Sequence, residues 1–330
     1  MSARLTHALD RGAVTVPAAG RIGVWGATAG DDLSALPKDR VSVVQGFRPD
    51  HDALARQGYA VSPTAAGRVA MAIVFLPRAR EAARARIAEA ARLSDGPLVI
   101  DGAKGDGIDG ILRDVRARAE VGETVSKAHG KVFTVTGGDF ADWADAGPRQ
   151  VAGGFVTSAG VFSADGPDRG SVALAAALPA RLGPRVADLG AGWGYLARAV
   201  LAREGVEEVH LIEADHAALE AARANVPDPR ARFHWADATQ FRPEAPFDTV
   251  VTNPPFHVSR TADPSLGRAF IAAAARMLAP RGDLWLVANR HLPYEAALRA
   301  AFRDVAEIGA ETGDDPAFKV VHAAHPLRPR

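Results

Sequence analysis

Strand-like apolar runs alternate with helix-forming stretches twice along this chain, and that repeat restricts the fold more than any other feature. In the first half the runs Ile22–Trp25, Val41–Gln45, Ala70–Leu76, Leu98–Asp101 and Val132–Thr136 read as strands. The stretches Ala79–Leu93 and Gly110–Val121 read as helices. A Gly/Pro/Ser-rich connection follows at Ala146–Gly170, and the alternation restarts. Strands are expected at Arg185–Leu189, Val209–Glu213, Arg232–Trp235, Thr249–Asn253 and Leu284–Ala288, with helices after the first two and the last two. Two further strands, near Val305–Ile308 and Phe318–Ala323, complete a seven-stranded sheet. Strands alternating with helices imply mostly parallel sheets covered on both faces. The fold class expected is therefore α/β, two tandem doubly wound domains spanning 1–147 and 148–330. Each is large enough to bury a core without metals or disulfides. The segment Val24–Asp31 stands where a worn first copy of the second half's glycine motif would fall, which suggests a duplication.

Composition narrows the chemistry. The chain has no cysteine, which removes disulfide scaffolds, thiolate nucleophiles and cysteine-based metal sites. An apolar fraction of 48% with 24% charged is that of an ordinary globular chain. MSARLTHALDRG lacks the apolar core of a signal peptide, and the longest apolar runs, such as Val172–Ala180, are shorter than a span of about 20 residues. A cytoplasmic monomer with no membrane partner is the expectation. Formal charge sums to zero. Cations exceed acids by two in residues 1–150 and fall short by two in 151–330, so neither half is a general nucleic-acid coater. Of 39 cations 34 are Arg, a side chain suited to forked phosphate contacts and base stacking, though a codon bias toward Ala and Arg is the plainer explanation, so composition neither names nor excludes a nucleic-acid partner. In AREAARARIAEAARL, Ala83, Ile87, Ala90 and Leu93 form one apolar face. Arg80, Arg84, Arg86 and Arg92 lie mostly off it, as a solvated face or an RNA-facing patch.

The ligand signal is Val186-Ala-Asp-Leu-Gly-Ala-Gly-Trp-Gly194, an apolar strand running into alternate glycines and then a helix. Gly190, Ala191, Gly192 and Gly194 let backbone turn tightly and approach a ligand. The third glycine arrives one residue early for G-x-G-x-x-G, with Tyr195 in its place, which disfavours NAD. Asp188 in the strand suits a ligand carrying ammonium or sulfonium charge better than a pyrophosphate. The next strand ends in Glu213, followed by Ala214, twenty-one residues beyond Gly192. A carboxylate there accepts both ribose hydroxyls of a nucleoside. The third ends in Asp237, placed for an adenine amino group, with the Ala238 N–H beside it. Singly, each acid reads equally well as a helix cap or a solvated group.

The chemistry signal is Asn253-Pro254-Pro255-Phe256-His257 after the fourth strand. Two prolines freeze the backbone, so the Asn253 side-chain oxygen and the Pro254 carbonyl are held in fixed directions. Two acceptors aimed at one point suit an amine on a planar ring or amide, turning its delocalised lone pair toward an electrophilic methyl group. Phe256 offers an aromatic face for the ring. Taken alone, the same tetrapeptide is a rigid turn with a capping Asn.

At these residues the chain resembles the class I S-adenosylmethionine-dependent methyltransferases acting on exocyclic or amide nitrogen. VFSADGPDRGSVALAAALP, NPPFH, RGDLWLVANRHLPYEAAL and FKVVHAA extend the likeness. They look like the bacterial ribosomal RNA small-subunit methyltransferases of C type, which act on guanine N2. The resemblance is specific over Phe155–His325 and architectural over 1–150. It implies two tandem Rossmann-like methyltransferase domains, the first degenerate and serving RNA docking or structural support. It also implies S-adenosylmethionine as cofactor and ribosomal RNA, or the small ribosomal particle, as partner. The turn Asp188–Gly194 then holds the methionine part, Glu213 the ribose, Asp237 and Ala238 the adenine. Asn253, Pro254 and Phe256 hold the guanine. Ser171 matches as a helix N-cap and Phe162 and Asp168 as lids, while Asn289, Leu292, Pro293 and Tyr294 match as packing beside the site. Trp193, between glycines, departs from smaller residues and narrows the rim.

Two other readings use the same residues: a methyltransferase on adenine N6 or on a release-factor glutamine, and a non-catalytic RNA-binding assembly protein. Phe256 in place of Tyr, and the α/β first half, weigh against the glutamine reading. His210, His216 and His234 lack carboxylates at ligand spacing, so no metal is expected. His257 is expected to position the loop or touch RNA. The run Gly102–Gly107 fails the phosphate-loop spacing and reads as a surface turn.

Overall fold

The computed structural model describes residues 3–255, 264–308 and 315–328, which form two compact units, Met1–Gly147 and Pro148–Arg330. The first contains α1 (Ala3–Asp10), β1 (Ile22–Trp25), β2 (Val41–Val44), α2 (Arg48–Arg56), β3 (Ala60–Ser62), β4 (Met71–Phe75) and α3 (Arg80–Leu93). It continues with β5 (Leu98–Ala103), α4 (Ile108–Arg116), β6 (Glu120–Lys127) and β7 (Gly130–Thr136). The second contains β8 (Arg149–Val151), β9 (Phe155–Thr157), α5 (Arg169–Ala177), β10 (Arg185–Leu189), α6 (Tyr195–Leu201), β11 (Glu208–Glu213) and α7 (His216–Asn225). After these come β12 (Ala231–Trp235), β13 (Phe247–Thr252), α8 (Pro264–Met277), β14 (Leu278–Asn289), α9 (Glu295–Ala301), β15 (Phe302–Ile308) and β16 (Phe318–Pro326).

Each unit has a seven-stranded sheet, ordered β3-β2-β1-β4-β5-β7-β6 and β12-β11-β10-β13-β14-β16-β15. Five strands of each run parallel, and the last two pair antiparallel. The two sheets thus share one topology, as the repeated alternation implies. Strands buried on both faces read as unbroken apolar runs. In β4 every residue is buried, and β10 is buried along Val186–Leu189. On one side of the second sheet Ala187, Leu189, Val250 and Leu286 pack against Phe270 and Ile271 of α8. On the other, Val186, Val251 and Val287 pack against Leu174 of α5 and Ala197 of α6. Among the described residues no helix is long and apolar enough to cross a membrane.

Several local expectations are corrected. The helix read over Gly110–Val121 ends at Arg116, and the chain returns as β6. Ala128 and His129, with φ of 47° and 53°, make the tight turn into β7. Only Val125 of β6 is buried, so its alternation is faint in the sequence. Helices α1 and α2 and strand β3 are additions that the sequence pattern does not announce. The connection before the second alternation contains the β8–β9 hairpin, turned through Gly153 and Gly154 at φ of 80° and 71°. On α3 the apolar face is buried as expected. Of its arginines, Arg80 and Arg84 both bond Asp114, at 2.7 and 2.8 Å, and Arg86 donates to the Phe75 carbonyl at 2.7 Å, while Arg80 and Arg92 stay exposed to solvent.

Candidate active site

Strand order places the site. Leu189 at the end of β10 pairs with Ile212 of β11 on one side and Thr252 of β13 on the other. The next residue of each strand is Gly190, Glu213 and Asn253, so these three emerge side by side at the carboxyl edge. This is where the sheet's winding reverses and where doubly wound folds bind ligands.

The turn after β10 holds Gly190, Gly192 and Gly194 at φ of 72°, 53° and 90°, a region that a Cβ disfavours. A Cβ on Gly194 would lie 2.7 Å from the Val226 side chain, so this glycine also serves packing of the turn on the end of α7. One on Gly192 would meet nothing within 4 Å: it faces open space. Glu213 ties this turn to the second strand. Its Oε2 accepts the Gly192 N–H at 2.7 Å, and its Oε1 accepts the Asp215 N–H at 2.7 Å. Burial raises its pKa despite those N–H groups, which favour the charged form. The carbonyl of Ala214 accepts the Trp235 indole N–H at 2.9 Å.

Asp188 lies beneath the turn, 0% exposed, and neither carboxyl oxygen makes a hydrogen bond of normal geometry. Burial pushes its pKa up to about 8, with Glu213 adding to the shift and the Ala197 N–H at the start of α6 opposing it. A buried acid without a strong partner is held neutral at pH 7 and gives up its proton when a positive charge comes near. Together with the open space at Gly192, it fits a nucleoside carrying a cationic sulfur or amine.

Asn253 is held from its nitrogen side. Its Nδ2 donates to Asp168 Oδ2 at 2.8 Å and to Ser171 Oγ at 2.9 Å. A carboxylate only accepts, so the amide nitrogen must face Asp168, and the Asn253 oxygen points the opposite way. Asp168 also accepts the Ser171 N–H at 2.9 Å as N-cap of α5. The cap is therefore Asp168, not Ser171 as the sequence suggests, and Asp168 is a brace rather than a lid. The cleft against Asn253 is lined by Gly190, Ala191, Gly192, Asp168, Ser171 and Phe162. Phe162 stands 58% exposed at its rim.

Trp193 also lines this cleft, from a largely buried position. It is 4% exposed, packed beside Phe155 and Tyr195 with ring centroids 5.0 and 5.9 Å away, and its indole N–H donates to the Phe162 carbonyl at 3.0 Å. Asn225 completes this anchor, accepting the Val156 N–H at 2.7 Å and donating at 2.8 Å to the carbonyls of Val156 and Trp193. Sequence reasoning misses this residue, whose one signal is a polar side chain on the last turn of an otherwise Ala-rich helix.

The remaining candidates divide. Pro254 is buried, and Pro255 Cδ lies 4.0 Å from where a Cβ on Gly190 would be. Phe256 and His257 lie outside the described residues. Asp237 stands past the end of β12, outside the cleft lining, with its Oδ1 accepting the Thr239 N–H at 2.8 Å and hydroxyl at 2.7 Å; Ala238 beside it is buried. Leu292 and Tyr294 are buried, and the Leu292 carbonyl accepts Lys319 Nζ at 2.7 Å. His210 and His234 stack 5.0 Å apart, and burial lowers both pKa values, His234 to about 4. Among the described residues no group of three His, Asp or Glu is arranged to hold a metal.

The first unit supplies a comparison within the chain. Trp25 pairs with Val44 and Val74 as Leu189 pairs with Ile212 and Thr252. One residue on, Gly26, Gln45 and Phe75 stand where Gly190, Glu213 and Asn253 stand. Gln45 Oε1 accepts the Phe47 N–H at 2.8 Å, as Glu213 Oε1 accepts that of Asp215. Its other end is now a donor, to the Ala27 carbonyl at 2.7 Å. Thr28 replaces Gly192, its hydroxyl bonded to Asp31 at 2.9 Å, and Phe75 has no amide to offer an amine.

A glycine turn, a strand-two carboxylate and an oriented Asn-Pro-Pro meet at the switch point of the second unit, a doubly wound domain. Residues 152–321 match the methyltransferase small domain model. The chain belongs to that family. It is 33% identical over 174 residues to the ribosomal RNA large subunit methyltransferase G of Ectopseudomonas mendocina, covering 51% of this chain and 46% of that protein. It is 40% identical over 150 residues to the protein so named in Streptomyces avermitilis, covering 44% and 39%. The chain thus spans less than half the length of these relatives. A solved 16S rRNA N2 methyltransferase of T. thermophilus, in complex with AdoMet and guanosine, superposes with TM-score 0.77 at 27% identity, covering 94% of this chain and 89% of that one.

Proposed function

We propose that the second unit binds S-adenosylmethionine and directs its methyl group to the exocyclic N2 amine of a guanine in ribosomal RNA. The observation that carries the reading is the orientation of Asn253: its nitrogen is taken by Asp168 and Ser171, which leaves its oxygen as the acceptor in a residue that lines the cleft with the glycine turn. When bound, the cofactor supplies a methyl on a positively charged sulfur. Asp188 and the Gly190–Gly194 turn would hold its charged end, Glu213 its ribose, and Asp237 with Ala238 its adenine. The Asn253 oxygen and the Pro254 carbonyl accept the two amine hydrogens and turn the nitrogen lone pair toward the methyl. The amine proton becomes acidic as the new bond forms, so no strong base is required, and catalysis rests on positioning and fixed dipoles.

A guanine inside a helix cannot present its amine to this cleft, so the base enters unpaired or flipped. Phe162, exposed at the rim, offers a face for stacking. The solved relative, a 16S enzyme captured with AdoMet and guanosine, corresponds to both units of this chain, while the sequence relatives are named for the large subunit. A guanine of ribosomal RNA is the substrate class of this reading, with a 16S-type RNA as its first candidate. The first unit, with Gln45, Thr28 and Phe75 at the equivalent positions, serves RNA docking or support in this reading and takes no methyl donor.

Transfer of labelled methyl to ribosomal RNA, followed by mass mapping of the modified guanines, tests the proposal. Asn253→Ala is expected to abolish transfer while donor binding measured by calorimetry stays near wild type. Equal loss of both would remove Asn253 from the amine site.

A further inference from the structure

The contacts that fix Asn253 come from outside the Asn-Pro-Pro turn, on a helix start 85 residues earlier in the chain. Asp168 Oδ2 is shared between the Asn253 amide at 2.8 Å and the Ser171 N–H at 2.9 Å, and Ser171 Oγ is the second acceptor for Asn253 at 2.9 Å. Ser171 is buried, at 7% exposure. The α5 start is itself fixed: Gly170 packs so tightly that a Cβ would lie 3.0 Å from the Phe318 ring.

We propose that Asp168 and Ser171 are positioning residues for methyl transfer: together they dictate which end of the Asn253 amide faces the substrate. An asparagine side chain can rotate by half a turn at little steric cost, and the rotated form would present two N–H donors to an amine that also donates. Asp168 can only accept, so the rotated form sets the amide oxygen against a carboxylate oxygen; the Ser171 hydroxyl, which can also donate, adds a second acceptor in the observed form. The N-cap of α5 is thus also the device that makes Asn253 an acceptor. The catalytic consequence rests on the amine-acceptor reading above; the orientation itself does not.

Four variants test it, with donor affinity by calorimetry and thermal unfolding measured beside activity. Asp168→Ala frees the amide and is expected to lower kcat on the order of 10²-fold with donor affinity unchanged, the scale of a misplaced reacting group. Asp168→Asn keeps an oxygen that caps the helix and accepts from Asn253, and retains activity within about threefold. The decisive variant is a swap. Asn253→Asp alone faces one carboxylate with another and is expected to lose transfer. Adding Asp168→Asn turns an amide nitrogen toward the new carboxylate at position 253 in place of the shared oxygen, gives up the cap on the Ser171 N–H, and restores an acceptor aimed at the amine, recovering about tenfold or more of the loss. A cap with no positioning role predicts no recovery, and that result overturns the proposal.

Hydrogen exchange of the Asn253 side-chain amide, followed in asparagine-labelled protein, reads the orientation without any substrate. Slow exchange in wild type and fast exchange in Asp168→Ala are expected; fast exchange in wild type overturns the proposal. If wild type methylates no guanine, the amine reading fails, while the exchange data still decide the positioning claim.

Discussion

Glu213 and Gly192 are joined through one hydrogen bond, carboxylate oxygen to backbone N–H at 2.7 Å, across 21 residues of chain. The acid that is expected to take a ribose therefore also sets the glycine turn that is expected to take the rest of the donor. Glu213→Gln keeps an oxygen for the Asp215 N–H but turns a donor toward the Gly192 N–H. Losing a charge-assisted bond of about 1.5–3 kcal/mol is expected to weaken donor affinity ten- to a hundredfold, with little change in the fold. Calorimetry gives the answer, and an unchanged Kd would detach Glu213 from donor binding.

Gly192 is expected to tolerate no side chain, for two separable reasons. Its φ of 53° makes Gly192→Ala cost about 1–2 kcal/mol of stability. The added methyl has no protein atom within 4 Å, so any loss of donor affinity beyond that strain comes from space the ligand needs. Chemical denaturation gives the first quantity and a binding titration the second. Stability loss with unchanged affinity would mean that the open space is not the donor's.

Asp188 makes a pH prediction. Its folded pKa, raised by burial to about 8, lies above the ordinary value of 3.8. Below about pH 4 the acid is neutral in both states. As pH rises from there to about 8 the unfolded chain ionises first, so the ligand-free protein loses stability across that window. A cationic donor favours the carboxylate, so binding at pH 7 is expected to release a proton and to tighten toward pH 8. Calorimetry in two buffers of different ionisation enthalpy measures the proton directly. In Asp188→Asn the release should vanish; its persistence would assign the proton elsewhere.

Phe162 at the rim is expected to act on RNA and not on the donor. Stacking on an aromatic ring contributes about 1–3 kcal/mol per base. Phe162→Ala should raise KM for RNA about tenfold or more while kcat at saturating RNA, donor affinity and Tm stay close to wild type. Because its backbone carbonyl, not its ring, bonds Trp193, the truncation leaves that anchor in place. A wild-type KM would show that the ring faces only solvent.

What can be seen in the sequence follows from how local each signal is. The central strands are legible because burial on both faces makes them unbroken apolar runs, as in β4 and β10. The glycine turn and Asn253 are legible because rigid backbone needs Gly and Pro at fixed spacing. Strand β6 is hidden because one buried residue in eight leaves no alternation to read. The bond from Asp168 to Asn253 is hidden for a different reason. It joins a helix cap to a loop 85 residues away, and no periodicity records a contact of that kind.

Gln45 and Glu213 lend the molecule an internal subtraction. Position by position, whatever both halves retain answers to architecture alone, and whatever only one retains answers to chemistry. In the proposed reading, half of a single carboxyl group is masonry and the other half is tool: the oxygen on Asp215 has its twin on Phe47, and the oxygen on Gly192 has none. What leaves the first unit without a donor site, in that same reading, is gathered at positions 28, 45 and 75, on a scaffold the two halves share.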